Sequence, residues 1–362
     1  MNGDPSPLLR VQSLSVALPP GSDRHEAVSD ANLELRANEI VCVVGESGSG
    51  KSMLASAVMG LLPTGVRVSG GRILLGESDL LQLSPAAMRS IRGRQVGMVF
   101  QDPMTGLNPL LRVGDQVEEV LLVHGQRDRR LRRREALKML AEVGMPDPEL
   151  IYRTHPFRLS GGQRQRVMIA IALILRPGVL IADEPTSALD VTTQMTILRL
   201  LRTLQAERGM GVLFITHDFG VVAEIADRVV VMRHGQLVES GHVVDVLHRP
   251  QHPYTRTLIA GLRRERDARD RSVLTPAQPI LQVRSVSKLF RRGVGLFRRG
   301  RSICAVDAAE LVLHRGETLG LVGESGSGKS TLARCVVRLL DVTEGSIRFR
   351  EMELATLAES EM

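Results

Sequence analysis

The octapeptide GESGSGKS occurs twice in this chain of 362 residues, at Gly45–Ser52 and again at Gly323–Ser330. An aliphatic run precedes each copy and a helical pattern follows it. A strand that enters a glycine-rich turn and leaves as a helix has few ways to fold, because side chains would block so tight a backbone wrap. With its N–H groups turned inward, such a turn cradles phosphate. The spacing Gly45-x-x-x-x-Gly50-Lys51-Ser52 is therefore a P-loop in the context it requires. The predicted phosphate contacts are Gly45, Glu46, Ser47, Gly48, Ser49, Gly50, Lys51, Ser52 and Met53. In the second copy they are Gly323, Glu324, Ser325, Gly326, Ser327, Gly328, Lys329, Ser330 and Thr331. Lys51 supplies positive charge to the β- and γ-phosphates, and Ser52 offers a hydroxyl to Mg²⁺.

The repeat is wider than the turn. LLRVQSLSVAL resembles ILQVRSVSKLF, and LELRANEIVCVV resembles LVLHRGETLGLV, so one module begins twice with its cradles 278 residues apart. This divides the chain into a first module at 1–262, a charged linker without apolar period at 263–279, and a second module at 280–362.

In the first module short aliphatic runs alternate with helical patterns, which predicts a parallel sheet flanked by helices. EIVCVV, QVGMVF, GVLIA and GVLFIT are continuous rather than alternating, as expected of strands buried on both faces. They end at Gly45, Gln101, Asp183-Glu184 and His217. Ligands of open α/β sheets bind beyond the carboxyl ends of the strands, so four polar features converge on one edge. Asp183 is placed to hold Mg²⁺ with Ser52. Glu184 follows it and points elsewhere, towards the water that attacks a γ-phosphate. The stretch LSGGQRQR caps a helix with Ser160 and leaves backbone N–H groups open to an anion around Gly161, Gly162 and Gln163.

The bulk properties narrow the setting. A net charge of +7 favours acidic partners. Two basic runs, Arg127–Arg134 and Arg291–Arg301, read either as solvated faces or as surfaces for anionic lipid headgroups. Cys42, Cys304 and Cys335 show no C-x-x-C spacing, which fits a reducing cytoplasm, and Cys42 reads as a small core hydrophobe. The N-terminal MNGDPSPLLR lacks the plan of a signal peptide, and no apolar run is long enough to span a bilayer.

Together, the P-loop, LSGGQ and DEPTSALD resemble the nucleotide-binding subunits of ATP-binding cassette (ABC) transporters, over Leu8 to Leu262. The resemblance implies a P-loop NTPase α/β fold: a RecA-like parallel core, an antiparallel β subdomain and a helical signature subdomain, followed by a partial second copy. It implies ATP and Mg²⁺ as ligands. It also implies that Gln101 touches Mg²⁺ and the attacking water, that Asp190 belongs to the D-loop, and that His217 is the switch residue near the γ-phosphate. LNPLLRVGDQV, EIADRVVVM and PQHPYTRTLIAGL look like the importer ATPases for peptides, nickel and glutathione. Such subunits sit on the cytoplasmic face of the membrane against integral-membrane permeases, served indirectly by an extracytoplasmic solute-binding protein. The family usually stacks adenine on an aromatic residue. Phe290 stands at that position in the second module, whereas the first has Leu18, with His25 the nearest ring.

Asp183 lies 138 residues after Gly45, and the same interval from Gly323 runs past Met362. The second module is thus read as having a P-loop without Q-loop, signature, Walker B acid or switch histidine. In the family each ATP is held between one module's P-loop and another's signature, so a second ABC module is an expected head-to-tail partner. Truncation of a longer protein is the favoured explanation, over pairing with a separate chain. The leading function is ATP hydrolysis that powers import of peptides or a related solute. The alternatives are an inactive remnant and a soluble ABC ATPase on nucleic acid or ribosomes. The last is set aside because no long coiled coil or metal finger separates the modules and HPYTRTL points to the importers, and no nucleic-acid partner is expected.

Overall fold

The four aliphatic runs become neighbouring strands in a computed structural model, which describes residues 6–101, 106–187, 189–267, 278–291, 302–323 and 326–357. The chain divides into two units, Met1–Glu265 and Arg266–Met362. In the first unit β1 (Leu9–Ala17), β2 (Glu26–Leu35), β4 (Arg67–Leu75) and β5 (Ser78–Asp79) form an antiparallel sheet of order β2-β1-β4-β5. A second sheet has the order β10-β9-β3-β8-β7-β6. Its strands are β3 (Ile40–Val44), β6 (Val96–Val99), β7 (Val179–Asp183), β8 (Gly211–Thr216), β9 (Arg228–Arg233) and β10 (Gln236–His242). All of its pairs are parallel except β9 with β10.

Continuous apolar sequence makes these strands central because each side chain meets a protein face. All five residues of β3 are buried. Ile40, Cys42 and Val44 join one core with the helices Gly161–Leu173 and Val191–Arg208. Val41 and Val43 join the other, with Leu54, Ala55 and Val58 of the helix Lys51–Met59. Cys42 is a packing residue there, and burial, followed by nearby Asp227, pushes its thiol well above the ordinary value. The helices Val113–Val123, Arg129–Glu142 and Pro148–Arg153 pack on one another and on Gly161–Leu173. Among the described residues no helix is long and apolar enough to cross a membrane.

The second unit repeats the antiparallel sheet with β11 (Pro279–Arg291), β12 (Ser302–His314), β13 (Glu344–Phe349) and β14 (Met352–Glu353), in the order β12-β11-β13-β14. The helix Lys329–Val336 closes a small core of Val283, Val286, Val306, Leu332, Cys335 and Ile347. The repeat implies a strand at 317–323, and here the structure differs: none forms. A strand of this kind needs flanking strands to satisfy its backbone, and none is described beside it. Of the linker read at 263–279, residues 268–277 lie outside the described residues, and the helix Pro253–Asp267 runs into its start. Residues 292–301 of the second basic run also lie outside.

Candidate active site

The loop after β3 turns on glycines that no other residue could replace. Gly50 holds φ of 108°, and a Cβ there would stand 2.2 Å from the Ala27 carbonyl oxygen. Lys51 begins the helix Lys51–Met59 and is buried, with its Nζ folded back to donate to the carbonyls of Gly45 and Glu46, both at 2.8 Å. Burial lowers the pKa of its ammonium, opposed by Glu184 and then Asp183. Ser52 follows, and its Oγ donates to Asp183 Oδ1 at 3.1 Å. Asp183 ends β7 and is buried, which raises its pKa against the hydrogen bond from Ser52.

Glu184 leaves the strand with φ of 44°, a left-handed conformation that costs a non-glycine residue roughly 1–3 kcal/mol. Its N–H donates to Ile215 O at 2.9 Å, which fixes the turn against β8. The turn places the carboxylate between two groups. Gln101 Nε2 donates to Oε2 at 3.2 Å, and His217 Nδ1 lies 3.0 Å from Oε1. A cavity of about 100 Å³ adjoins them, lined by Glu184, Thr186, Thr216, His217 and Asp218 among others. It is polar and roomy enough for water. The carboxyl ends of β6, β7 and β8 thus bring Gln101, Glu184 and His217 into one hydrogen-bonded group. Asp102 to Thr105 lie outside the described residues.

The signature turn forms a separate feature. Ser160 Oγ accepts from Gln163 N at 3.2 Å while Ser160 N donates to Gln163 Oε1 at 3.0 Å, a reciprocal cap. Gly162 passes so close to Val191–Arg208 that a Cβ would meet Thr193 Cγ2 at 2.4 Å. Asp190 caps that helix, with Oδ1 accepting from Thr193 N and Oδ2 from Thr193 Oγ1, both at 3.0 Å. Among the described residues no hydrogen bond joins Ser160–Gln163 to Gly45–Ser52. Ala188 lies outside them.

In the second copy Lys329 Nζ donates to Gly323 O at 2.7 Å, and Gly328 holds φ of 93°. Glu324 and Ser325 lie outside the described residues. Phe290 stands on β11 opposite Ile303, with Lys288 Nζ 5.5 Å from its ring centroid. Leu18 packs into the antiparallel-sheet core, and its N–H donates to His25 O at 2.9 Å. His25 is exposed.

Sequence reasoning missed what holds the first loop from behind. Tyr254 of Pro253–Asp267 accepts from Glu46 N at 3.3 Å and carries Arg233 on its ring at 4.8 Å. Arg24 Nη2 donates to Gly48 O at 2.6 Å, and Gly235 N to Ser49 O at 2.8 Å. The motif HPYTRTL was the available signal, since it places an aromatic hydroxyl at the start of a helix.

A family model described as "ABC transporter" matches residues 28–187 and 306–362. The chain belongs to the ABC transporter family. Among ABC proteins it is 42% identical over 99% of its length to "Glutathione import ATP-binding protein GsiA" of Salmonella typhimurium (strain LT2). It is 43% identical over 99% to the protein of that name in Escherichia coli O157:H7. This ABC chain spans 62% of the length of these relatives. The ATP-binding cassette MJ0796, solved as a dimer in a post-hydrolysis state bound to ADP and Pi, covers 65% of this chain and 98% of its own at 29% identity and a TM-score of 0.58. The cbiO1 cassette from Clostridium perfringens covers 73% and 96% at 28% identity and 0.59. The fold is that of an ABC ATPase cassette.

Proposed function

We propose that this chain is the ATP-binding and ATP-hydrolysing subunit of an ABC importer for peptides or a related small solute such as glutathione or nickel. The observation that carries this is the Glu184 carboxylate, held between Gln101 and His217 beside Lys51, Ser52 and Asp183. The names of the relatives, which are glutathione import ATP-binding proteins, support the solute class.

In this reading the backbone N–H groups of Gly45–Ser52 and Met53 enclose the phosphates. Lys51 turns from the carbonyls it now holds towards the β- and γ-phosphates. Ser52 and Asp183 are hard oxygen donors 3.1 Å apart, a pair that would hold Mg²⁺, with Gln101 touching it as the resemblance implies. When bound, Mg²⁺ supplies positive charge against the negative charge that develops on the phosphoryl oxygens. Glu184 orients the attacking water as general base, Gln101 fixes one carboxylate oxygen, and His217 fixes the other and meets the γ-phosphate. Ser160, Gly161, Gly162, Gln163 and Asp190 serve the nucleotide of a second ABC module that docks head to tail. The dimeric MJ0796 cassette supports that arrangement. Gly323–Ser330, Thr331 and Phe290 form a second nucleotide cradle.

The domain division stands as part of the proposal: a complete module at 1–262, a linker at 263–279 and a second module at 280–362. Permease subunits dock in a groove near Gln101–Val113, an extracytoplasmic binding protein delivers the solute, and the chain works peripherally at the cytoplasmic face of the membrane. Exchanging Glu184→Gln tests the core of the reading. The variant retains ATP binding and loses about 10²–10⁴ in turnover, the usual share of a general base. Hydrolysis at the parent rate would overturn it.

A further inference from the structure

In the fold, the arginines of the run Arg127–Arg134 do not spread evenly into solvent. Arg129, Arg130 and Arg133 stand on the first turns of Arg129–Glu142. They meet Arg112, which precedes Val113–Val123, and Arg153, which ends Pro148–Arg153. With Tyr152 these five line a cavity of about 570 Å³. Tyr152 is fixed in place: its hydroxyl donates to Glu118, and its ring carries Arg133 at 5.5 Å. Glu149 accepts from Arg133 at 2.8 and 3.1 Å and lies 3.7 Å from Arg153. Arg132 points away and is used up on Glu118 and on the carbonyls of Gln126 and Arg127. Among the described residues the side chains of Arg112, Arg129 and Arg130 have no hydrogen-bond or ion-pair partner.

Like charges gathered in a concavity repel, and Arg112, Arg129 and Arg130 make no side-chain hydrogen bond or ion pair among the described residues that would offset this. They also focus a positive potential at one point of the surface. The guanidinium fork matches two oxygens of a phosphate at once, which an ammonium group does not. Glu149 engages Arg133 and Arg153, and Glu118 and Asp115 act on Tyr152, so the three guanidiniums without a partner, Arg112, Arg129 and Arg130, are the charge left for a doubly charged group. We propose that the cavity formed by Arg112, Arg129, Arg130, Arg133 and Arg153 binds the phosphate of an anionic ligand, carried either by a membrane lipid headgroup or by a free phosphoester. The cavity shares no residue with Gly45–Ser52, so it is distinct from the nucleotide cradle.

The test uses the full chain and two triple variants. Arg112→Gln/Arg129→Gln/Arg130→Gln empties the cavity of its unpaired charges. Arg89→Gln/Arg127→Gln/Arg134→Gln removes the same charge from exposed positions outside it. Circular dichroism checks that both fold. Binding is measured to phosphatidylcholine vesicles with and without phosphatidylglycerol, to glycerol 3-phosphate, and to polyglutamate. Forked hydrogen bonds from guanidinium to phosphate are the strong, charge-assisted kind, so the cavity variant weakens the relevant ligand on the order of 100-fold, and the outside variant, which loses only diffuse surface charge, by much less. Loss confined to phosphatidylglycerol vesicles identifies the headgroup source, and loss confined to glycerol 3-phosphate identifies the free phosphoester. Equal weakening by both variants, no binding of either phosphate probe by the parent, or polyglutamate bound as tightly as phosphate overturns the proposal.

Discussion

The two copies of GESGSGKS close in the same way on very different ground. Lys51 Nζ reaches Gly45 O at 2.8 Å and Lys329 Nζ reaches Gly323 O at 2.7 Å. Gly50 and Gly328 hold φ of 108° and 93°. The aliphatic run in front of each loop behaves otherwise. Ile40–Val44 is a fully buried strand, whereas in the second unit Leu319, Leu321 and Val322 are 47%, 50% and 91% exposed and form no strand. The lysine folds back on the first glycine of each copy, a contact within six residues of chain. The strand depends on distant partners: Ile40 pairs with Val212, and Val41 with Arg228. Among the described residues, Asp183 is hydrogen-bonded to Ser52 of the first copy, and Glu184 joins Gln101 and His217 in one group.

That contrast can be broken most plainly at the two lysines. Lys51→Ala lowers steady-state ATP turnover by about 10²–10³, the usual effect of removing one preorganised donor, while Lys329→Ala changes it by less than about threefold. Equal losses would show that the second cradle carries catalysis as fully as the first. A smaller effect concerns stability without nucleotide. Burial raises the Asp183 carboxyl above its ordinary value of 3.8. The folded chain therefore holds that proton more tightly than the unfolded one. Stability from this group is full below pH 3.8 and is lost as pH rises through the raised value. Asp183→Asn removes the penalty, so at neutral pH the nucleotide-free variant melts a few degrees above the parent, and the gap closes in acid. Ser330 has no carboxylate hydrogen-bonded to it among the described residues, so Ser330→Ala leaves the pH dependence of melting unchanged. A parent more stable than Asp183→Asn at neutral pH would contradict the assignment of burial as the dominant cause.

Much of this was legible in the sequence because it is local or periodic. The continuous runs IVCVV, VGMV, VLIAD and GVLFIT announced buried parallel strands, and their last residues announced one shared edge. The strand end places Asp183 as a Mg²⁺ ligand together with Ser52, and in the fold Ser52 Oγ donates to Asp183 Oδ1. What was not legible depends on residues far apart in the chain or on backbone angle. Tyr254 reaches Glu46 across 208 positions, and HPYTRTL places its hydroxyl at a helix start without naming the distant loop it meets. The left-handed turn at Glu184 is imposed by β8 through Ile215 O, which residue type does not reveal. The residues before the second loop show the same dependence: Leu319, Leu321 and Val322 are exposed and form no strand, whereas Ile40–Val44 is paired on both sides by β8 and β9.

A double-mutant cycle between Glu184→Gln and His217→Ala tests most directly whether the Glu184 carboxylate is the centre of the site. Single-turnover ATP hydrolysis would be followed on the full chain, with nucleotide binding measured alongside. If the histidine acts through that carboxylate, His217→Ala is costly in the parent and adds less than about threefold once Glu184 is glutamine, because residues acting as one unit are not additive. Losses that multiply in full, with nucleotide binding unchanged, would mean that the two residues work independently and that the assignment is wrong.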